Sequence, residues 1–271
     1  MEEIFKTLPQ HTCSLLKCEL SCYKYQDFWT VQKWLEGGIL AQQISLKAEP
    51  TDVLLCGSPG TGTTWLKALA FAIVTREKLD QSTLSTSIHD GVPFLENNHS
   101  FSLVATHLPY ASLPTPVTAS NHKIVYIYRN IKDVIISHYR FMRESLKLPE
   151  EAVPFEEFCK GVSFNGPYWD HMMGYWKASL ERPGQIMFLK YEDLIRDPAN
   201  NVMRLAEFIG YPFSIEEAKA GVVDNIVKMC SRENLSSLEV NISGKSRPEE
   251  PNGLKKRLFH FWTIGRTTSR L

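Results

Sequence analysis

Short apolar runs alternate with helix-period segments along most of this chain. The runs 52–56, 103–106, 123–128 and 186–190 are rich in Val, Ile, Leu and aromatic residues, and each ends against a polar or charged position. Between and after them, 63–75, 131–142, 168–180 and 198–209 carry apolar residues at helical spacing. Gly210-Tyr211-Pro212 stops the last of these helices. Short strands separated by helices predict parallel βαβ units in one continuous domain. The expected fold class is α/β, a three-layer sandwich with a central parallel sheet. Open sheets of this kind place ligands at the carboxyl ends of their strands, so the residues after each run hold the most interest.

The first run leads into Gly57-Ser58-Pro59-Gly60-Thr61-Gly62-Thr63-Thr64-Trp65, with a helical pattern directly behind it. A strand, a glycine-rich turn and a helix N-terminus point backbone N–H groups and a positive dipole end at a phosphate. Against the Walker A pattern, Gly57 and Gly62 hold the glycine places and Thr64 the final hydroxyl, while Thr63 stands in the lysine place. The loop therefore reads as a phosphate cradle in a P-loop NTPase-like setting without triphosphate chemistry. That change counts against a nucleotide kinase. An ordinary strand-to-helix turn is the plainer reading of the loop taken alone.

Composition narrows the class further. The 271 residues suffice for one large domain with a substantial core. Lys+Arg and Asp+Glu balance at 30 each, so bulk charge gives no argument for nucleic acid or a membrane surface. Cys13, Cys18 and Cys22 have no second half that would complete a tetrahedral metal site, so no metal is expected. The acidic start Met1-Glu2-Glu3 lacks the apolar run of a signal peptide, and a cytoplasmic location is expected.

Two further strand ends carry chemistry. His107 follows the second run, where a histidine can take a proton from a hydroxyl near neutral pH. Arg129 ends the third run and suits bidentate phosphate recognition, with Ser137 about two helical turns beyond it. A structural histidine and an arginine paired with a nearby carboxylate are the alternatives.

Taken together, these segments resemble the cytosolic sulfotransferase family, most closely its plant members. The resemblance rests on the loop Ser58 to Trp65, the His107 segment, Arg129-Asn130-Ile131-Lys132-Asp133 through Ser137, Gly166-Pro167-Tyr168-Trp169-Asp170-His171, Lys190-Tyr191-Glu192-Asp193-Leu194 and the segment 234–241. It implies transfer of a sulfuryl group from 3′-phosphoadenosine 5′-phosphosulfate (PAPS) to a hydroxyl of a small-molecule acceptor. By resemblance, Gly60, Thr61, Gly62, Thr63, Thr64 and Trp65 surround the 5′-phosphosulfate, and His107 is the base. Arg129 and Ser137 hold the 3′-phosphate, and Tyr191 lies near the adenine. Phe141, Tyr168, Trp169 and His171 suggest an aromatic-walled pocket for a flat phenolic or terpenoid-like acceptor, although core packing explains the same aromatics.

The chain departs from the family pattern in several places. Gly60 occupies the place of a lysine that stabilises charge on the leaving phosphate. Ile131 replaces a proline, and 96–102 is short. The resemblance is read as a domain over 1–241, with 242–271 a divergent, poorly ordered tail that lacks the family's Arg-Lys-Gly segment. These departures support an alternative, a catalytically impaired relative that binds the nucleotide only.

Overall fold

Both faces of the central strands are apolar, and both are covered. The computed structural model describes residues 2–13, 20–32, 35, 52–78, 103–145, 155–163 and 165–237. The strands β1 (Gln10–Cys13), β2 (Leu20–Tyr25) and β3 (Phe28–Val31) form an antiparallel sheet in that order. The strands β4 (Val53–Cys56), β5 (Leu103–Thr106), β6 (Lys123–Tyr128) and β7 (Ile186–Lys190) form a second sheet in the order β5-β4-β6-β7. Every pairing in that second sheet is parallel. The main helices are α1 (Thr63–Val74), α2 (Ile131–Ser145), α3 (Phe155–Cys159), α4 (Tyr168–Glu181), α5 (Tyr191–Arg196), α6 (Pro198–Phe208) and α7 (Val222–Met229).

Period-two alternation divides the parallel strands between two cores. Val53 and Leu55, Val125 and Ile127, and Met187 and Leu189 face one side. There they meet Leu66, Leu69 and Ile73 of α1, Val202 and Leu205 of α6, and Val223 and Ile226 of α7. Leu54, Cys56, Ile124, Tyr126 and Ile186 face the other side, packed with Tyr175 and Ala178 of α4 and with Phe5, Tyr23 and Leu35 from the N-terminal part. Helices cover both faces of a parallel sheet, which is the three-layer α/β arrangement that the run pattern predicts.

The predicted strands and helices are all present, with ends moved by no more than a few residues. The N-terminal sheet is not foreseen by the run pattern. Its hairpin turns at Gln26 and Asp27, both at positive φ (49° and 69°), a two-residue turn that normally carries asparagine and glycine. The segment 96–102 and the tail 242–271 lie outside the described residues. Among the described residues, no helix is long and apolar enough to cross a membrane.

The topology sets up the site. β4 lies between β5 and β6, so the chain must cross β4 to go from β5 to β6, and strand order reverses there. The carboxyl ends of these strands border the crevice that such a reversal opens. Each of the four parallel strands is followed at once by a residue of interest: Gly57, His107, Arg129 and Tyr191.

Candidate functional site

The glycine loop leaves β4 and winds into α1 through two left-handed residues, Gly60 (φ 86°) and Gly62 (φ 103°). At both positions an L side chain would be strained. Space also demands glycine at 62, because a Cβ there would meet the Tyr191 ring at 2.7 Å. A Cβ at Gly60 would lie 3.2 Å from the Val134 carbonyl and 3.4 Å from Ser137 Oγ. The loop thus runs against α2 on one side and against Tyr191 on the other. Within it, Thr61 Oγ1 donates to the Ser58 carbonyl at 2.7 Å, which tightens the turn.

Tyr191 ties the remaining parts together. Its ring meets Trp65 edge-on at 5.4 Å, and the Arg129 guanidinium stacks over it at 4.3 Å. Asp133 approaches Arg129 Nε only to 3.7 Å from a half-exposed position, an ion pair of the kind that contributes little. The local-carboxylate reading of Arg129 is thus present in weak form, and the aromatic stack is the closer constraint. The Arg129 backbone is held from the other side of the sheet. Tyr168 Oη donates to its carbonyl at 2.5 Å and accepts from its N–H at 3.4 Å.

Thr63 Oγ1, Thr64 Oγ1, Trp65 Nε1 and Arg129 Nε are all buried without a hydrogen-bond partner among the described residues. A buried donor left unpaired costs about 1–3 kcal/mol, so a cluster of four around one glycine loop asks for a polar ligand. Donors at a helix N-terminus, backed by a guanidinium, suit phosphate groups. The residues that the sequence assigns to a phosphorylated nucleotide fit such a group on these grounds.

His107 sits at the end of β5 beside the loop, with its Nδ1 donating to the Gly57 carbonyl at 2.5 Å. A carbonyl can only accept, so Nδ1 carries the proton and Nε2 keeps its lone pair. That tautomer is the one a proton acceptor needs. Burial pushes its pKa down to about 4, against the raising effect of the Gly57 bond, and the charge of Lys67 pushes in the same direction as burial. Part of the side chain still reaches the surface. His107 is therefore neutral well into the acid range, lower than the near-neutral titration that sequence reasoning suggests.

The structure brings the loop, His107, Arg129, Ser137 and Tyr191 together at the carboxyl edge of the parallel sheet. It divides the aromatic residues differently. Tyr168 and His171 are buried and hydrogen-bonded to backbone, whereas Trp169 is 54% exposed and faces outward. The Phe141 side chain is not among those described.

Two residues near His107 escape the sequence reading. His138, one position past Ser137, is buried against Phe158 at 6.2 Å, and burial lowers its pKa to about 4. Lys67 lies one turn beyond Thr63, and burial lowers its pKa to about 8. The signal for Lys67 was a lone charge in the otherwise apolar run of α1.

Comparison with known proteins adds independent findings. The family model described as the sulfotransferase domain matches residues 50–264. A flavonol sulfotransferase-like protein of Flaveria bidentis is 61% identical, over 96% of this chain and 88% of its own length. The flavonol 4′-sulfotransferase of Flaveria chlorifolia is 58% identical, over 96% of this chain and 85% of its own. Among solved structures, a sulphotransferase of Arabidopsis thaliana superposes with a TM-score of 0.71 at 36% identity, covering 87% of this chain and 85% of that one.

Proposed function

The chain belongs to the sulfotransferase family, among its plant members, and we propose that it moves a sulfuryl group from PAPS to a hydroxyl of a flavonol-like acceptor in the cytosol. The acceptor class follows the names of its relatives. The observation that carries the donor reading is the set of unpaired buried donors on Thr63, Thr64, Trp65 and Arg129 around one glycine loop.

In this reading each residue has a defined task. The loop backbone from Gly60 to Thr64 and the start of α1 bind the 5′-phosphosulfate, and Arg129 with Ser137 binds the 3′-phosphate. Trp65 and Tyr191 flank the adenine. PAPS supplies an activated sulfuryl group, and the nucleotide phosphate departs. His107 Nε2 takes the proton from the acceptor hydroxyl, and the Gly57 bond fixes the tautomer that makes this possible. Backbone N–H groups of the loop and the start of α1 offset charge as it builds on the departing phosphate.

A second reading, a nucleotide-binding relative with little turnover, is favoured by Gly60 in the place where the family pattern carries a lysine. Calorimetric titration with 3′-phosphoadenosine 5′-phosphate, alongside labelled-sulfate transfer over a flavonol panel, tests both. Stoichiometric binding that is lost in Arg129→Met, with transfer, supports the first. Binding without transfer selects the second. No binding in a folded protein refutes both.

A further inference from the structure

Helix α4 presents Tyr168, His171 and Tyr175 on one buried face. Each bonds to backbone at the sheet's carboxyl edge. Tyr168 holds Arg129, His171 Nε2 donates to the His107 carbonyl at 3.0 Å, and Tyr175 Oη donates to the Leu108 carbonyl at 2.8 Å. The middle contact reaches furthest. With Nε2 committed as donor, neutral His171 has only a lone pair at Nδ1, which accepts from Tyr126 Oη at 2.9 Å. The Tyr126 oxygen also lies beside the backbone N–H of Ser58, in the glycine loop.

We propose that His171 is a positioning residue for the base, locking the His107 main chain to the phosphate loop through Tyr126 and Ser58. This rests on His107 acting as base. Three hydrogen bonds and the approach of Ser58 to Tyr126 close a ring: loop to Tyr126, Tyr126 to His171, His171 to the His107 carbonyl, and the His107 side chain back to Gly57. Base and loop then move as one body, and the base stays at a fixed distance from the group the loop binds. A histidine with 0% exposure could simply fill the core, packed as this one is beside the stacked rings of Tyr126 and Tyr175. Filling space does not require both ring nitrogens to bond to site segments from β6 and β5. Misplacing a reacting group by about 1 Å can cost on the order of 10²-fold in rate.

The test uses His171→Leu, which removes both bonds, and His171→Gln, which retains a donor within reach of the His107 carbonyl. The first readout does not depend on turnover: ¹⁵N-histidine NMR of the His107 ring. Wild type and His171→Gln are expected to show one Nδ1–H tautomer, and His171→Leu a mixture of tautomers. Where transfer is measurable, His171→Leu should lower kcat by about 10–100-fold. The affinity for 3′-phosphoadenosine 5′-phosphate should stay within about threefold, and His171→Gln should recover most of the rate. A folded His171→Leu variant with unchanged His107 signals overturns the proposal. If that variant does not fold, Tyr126→Phe replaces it, since this change deletes one oxygen and keeps the ring stack; unchanged His107 signals there overturn the proposal equally. His107→Ala is run in parallel. Undiminished transfer in that variant refutes the base itself, an outcome separate from the NMR result on His171.

Discussion

Replacing Gly60 by lysine puts the loop's largest departure from its family to the test, and the structure sets what the change gains and costs. A cation preorganised at the departing phosphate is worth about 2.7–4 kcal/mol of barrier, or roughly 10²–10³ in rate. Against this, Gly60 has φ 86°, where an L residue is disfavoured by about 1–2 kcal/mol. Its new Cβ would also press on the Val134 carbonyl at 3.2 Å. If that strain shifts the loop out of its phosphate-binding form, it subtracts about 5–30-fold from the gain, leaving a net rise between a few-fold and about 10²-fold. The assay is turnover at saturating labelled donor, with nucleotide affinity from calorimetry and a melting curve for each variant. Gly60→Ala separates the two effects, since it carries the strain without the charge and should lower Tm by about 2–8 °C with no gain in rate. Gly60→Lys that binds nucleotide as wild type does, yet turns over no faster, would refute position 60 as the lysine place.

The pH response of the base follows from its burial. As the proposed base, His107 would act in its neutral form with a pKa pushed down to about 4, so kcat/KM should stay level from pH 8 to about 5.5; an inflection near 6.5 would contradict the buried geometry. His107→Ala should remove about 10²-fold or more of transfer, measured in the same assay. His138 and His171 are buried and neutral, with pKa values lowered to about 4 in the fold and an unfolded value near 6.5. Their contribution is complete above about pH 6.5 and lost as pH falls towards 4, because the unfolded chain then binds protons that the fold excludes. At pH 5 this amounts to about 2 kcal/mol each, and His107, lowered to the same value, adds a comparable amount, so urea unfolding at pH 5 should show about 4–6 kcal/mol less stability than at pH 7; equal stability at the two pH values would refute it.

Legibility in the sequence followed the strength of the local signal. The parallel strands were readable because apolar runs such as 123–128 bury both faces, and their neighbours needed no identification. The loop was readable because Gly60 and Gly62 meet a backbone demand that other residues meet poorly. The N-terminal hairpin was not, since Gln26 and Asp27 adopt positive φ without the residues that advertise it. Helix α4 shows a different limit. Tyr168, His171, Tyr175 and Ala178 face inward, while Trp169, Met173, Trp176 and Leu180 lie on the exposed stripe. Both stripes are rich in apolar and aromatic residues, so the pattern marks a helix without marking its buried side. Only packing against Tyr126 and the strand ends decides it. Lys67 and His138 were missed for a related reason, since their importance lies in a neighbour, His107, that is distant in sequence.

The same geometry explains why the loss of one cation need not dismantle the donor site. Arg129 is oriented by the Tyr191 ring beneath it and by Tyr168 bonds to its backbone, none of which involves position 60. Tyr191 is fixed by contact with Gly62 and Trp65. In the proposed function, the 3′-phosphate end of the site would therefore be supported by β6, β7 and α4. The leaving-phosphate end depends on the loop and the start of α1. Backbone N–H groups at that end would already hold the phosphosulfate in the ground state as well as offsetting charge later, whereas a lysine there would act most where charge develops. On the proposed function, glycine at 60 would remove the second kind of help and leave the first. Affinity for the nucleotide and the rate of transfer would then be carried by different elements of the same sheet edge, and a change at 60 would alter the rate while Arg129 and Tyr191 hold the affinity.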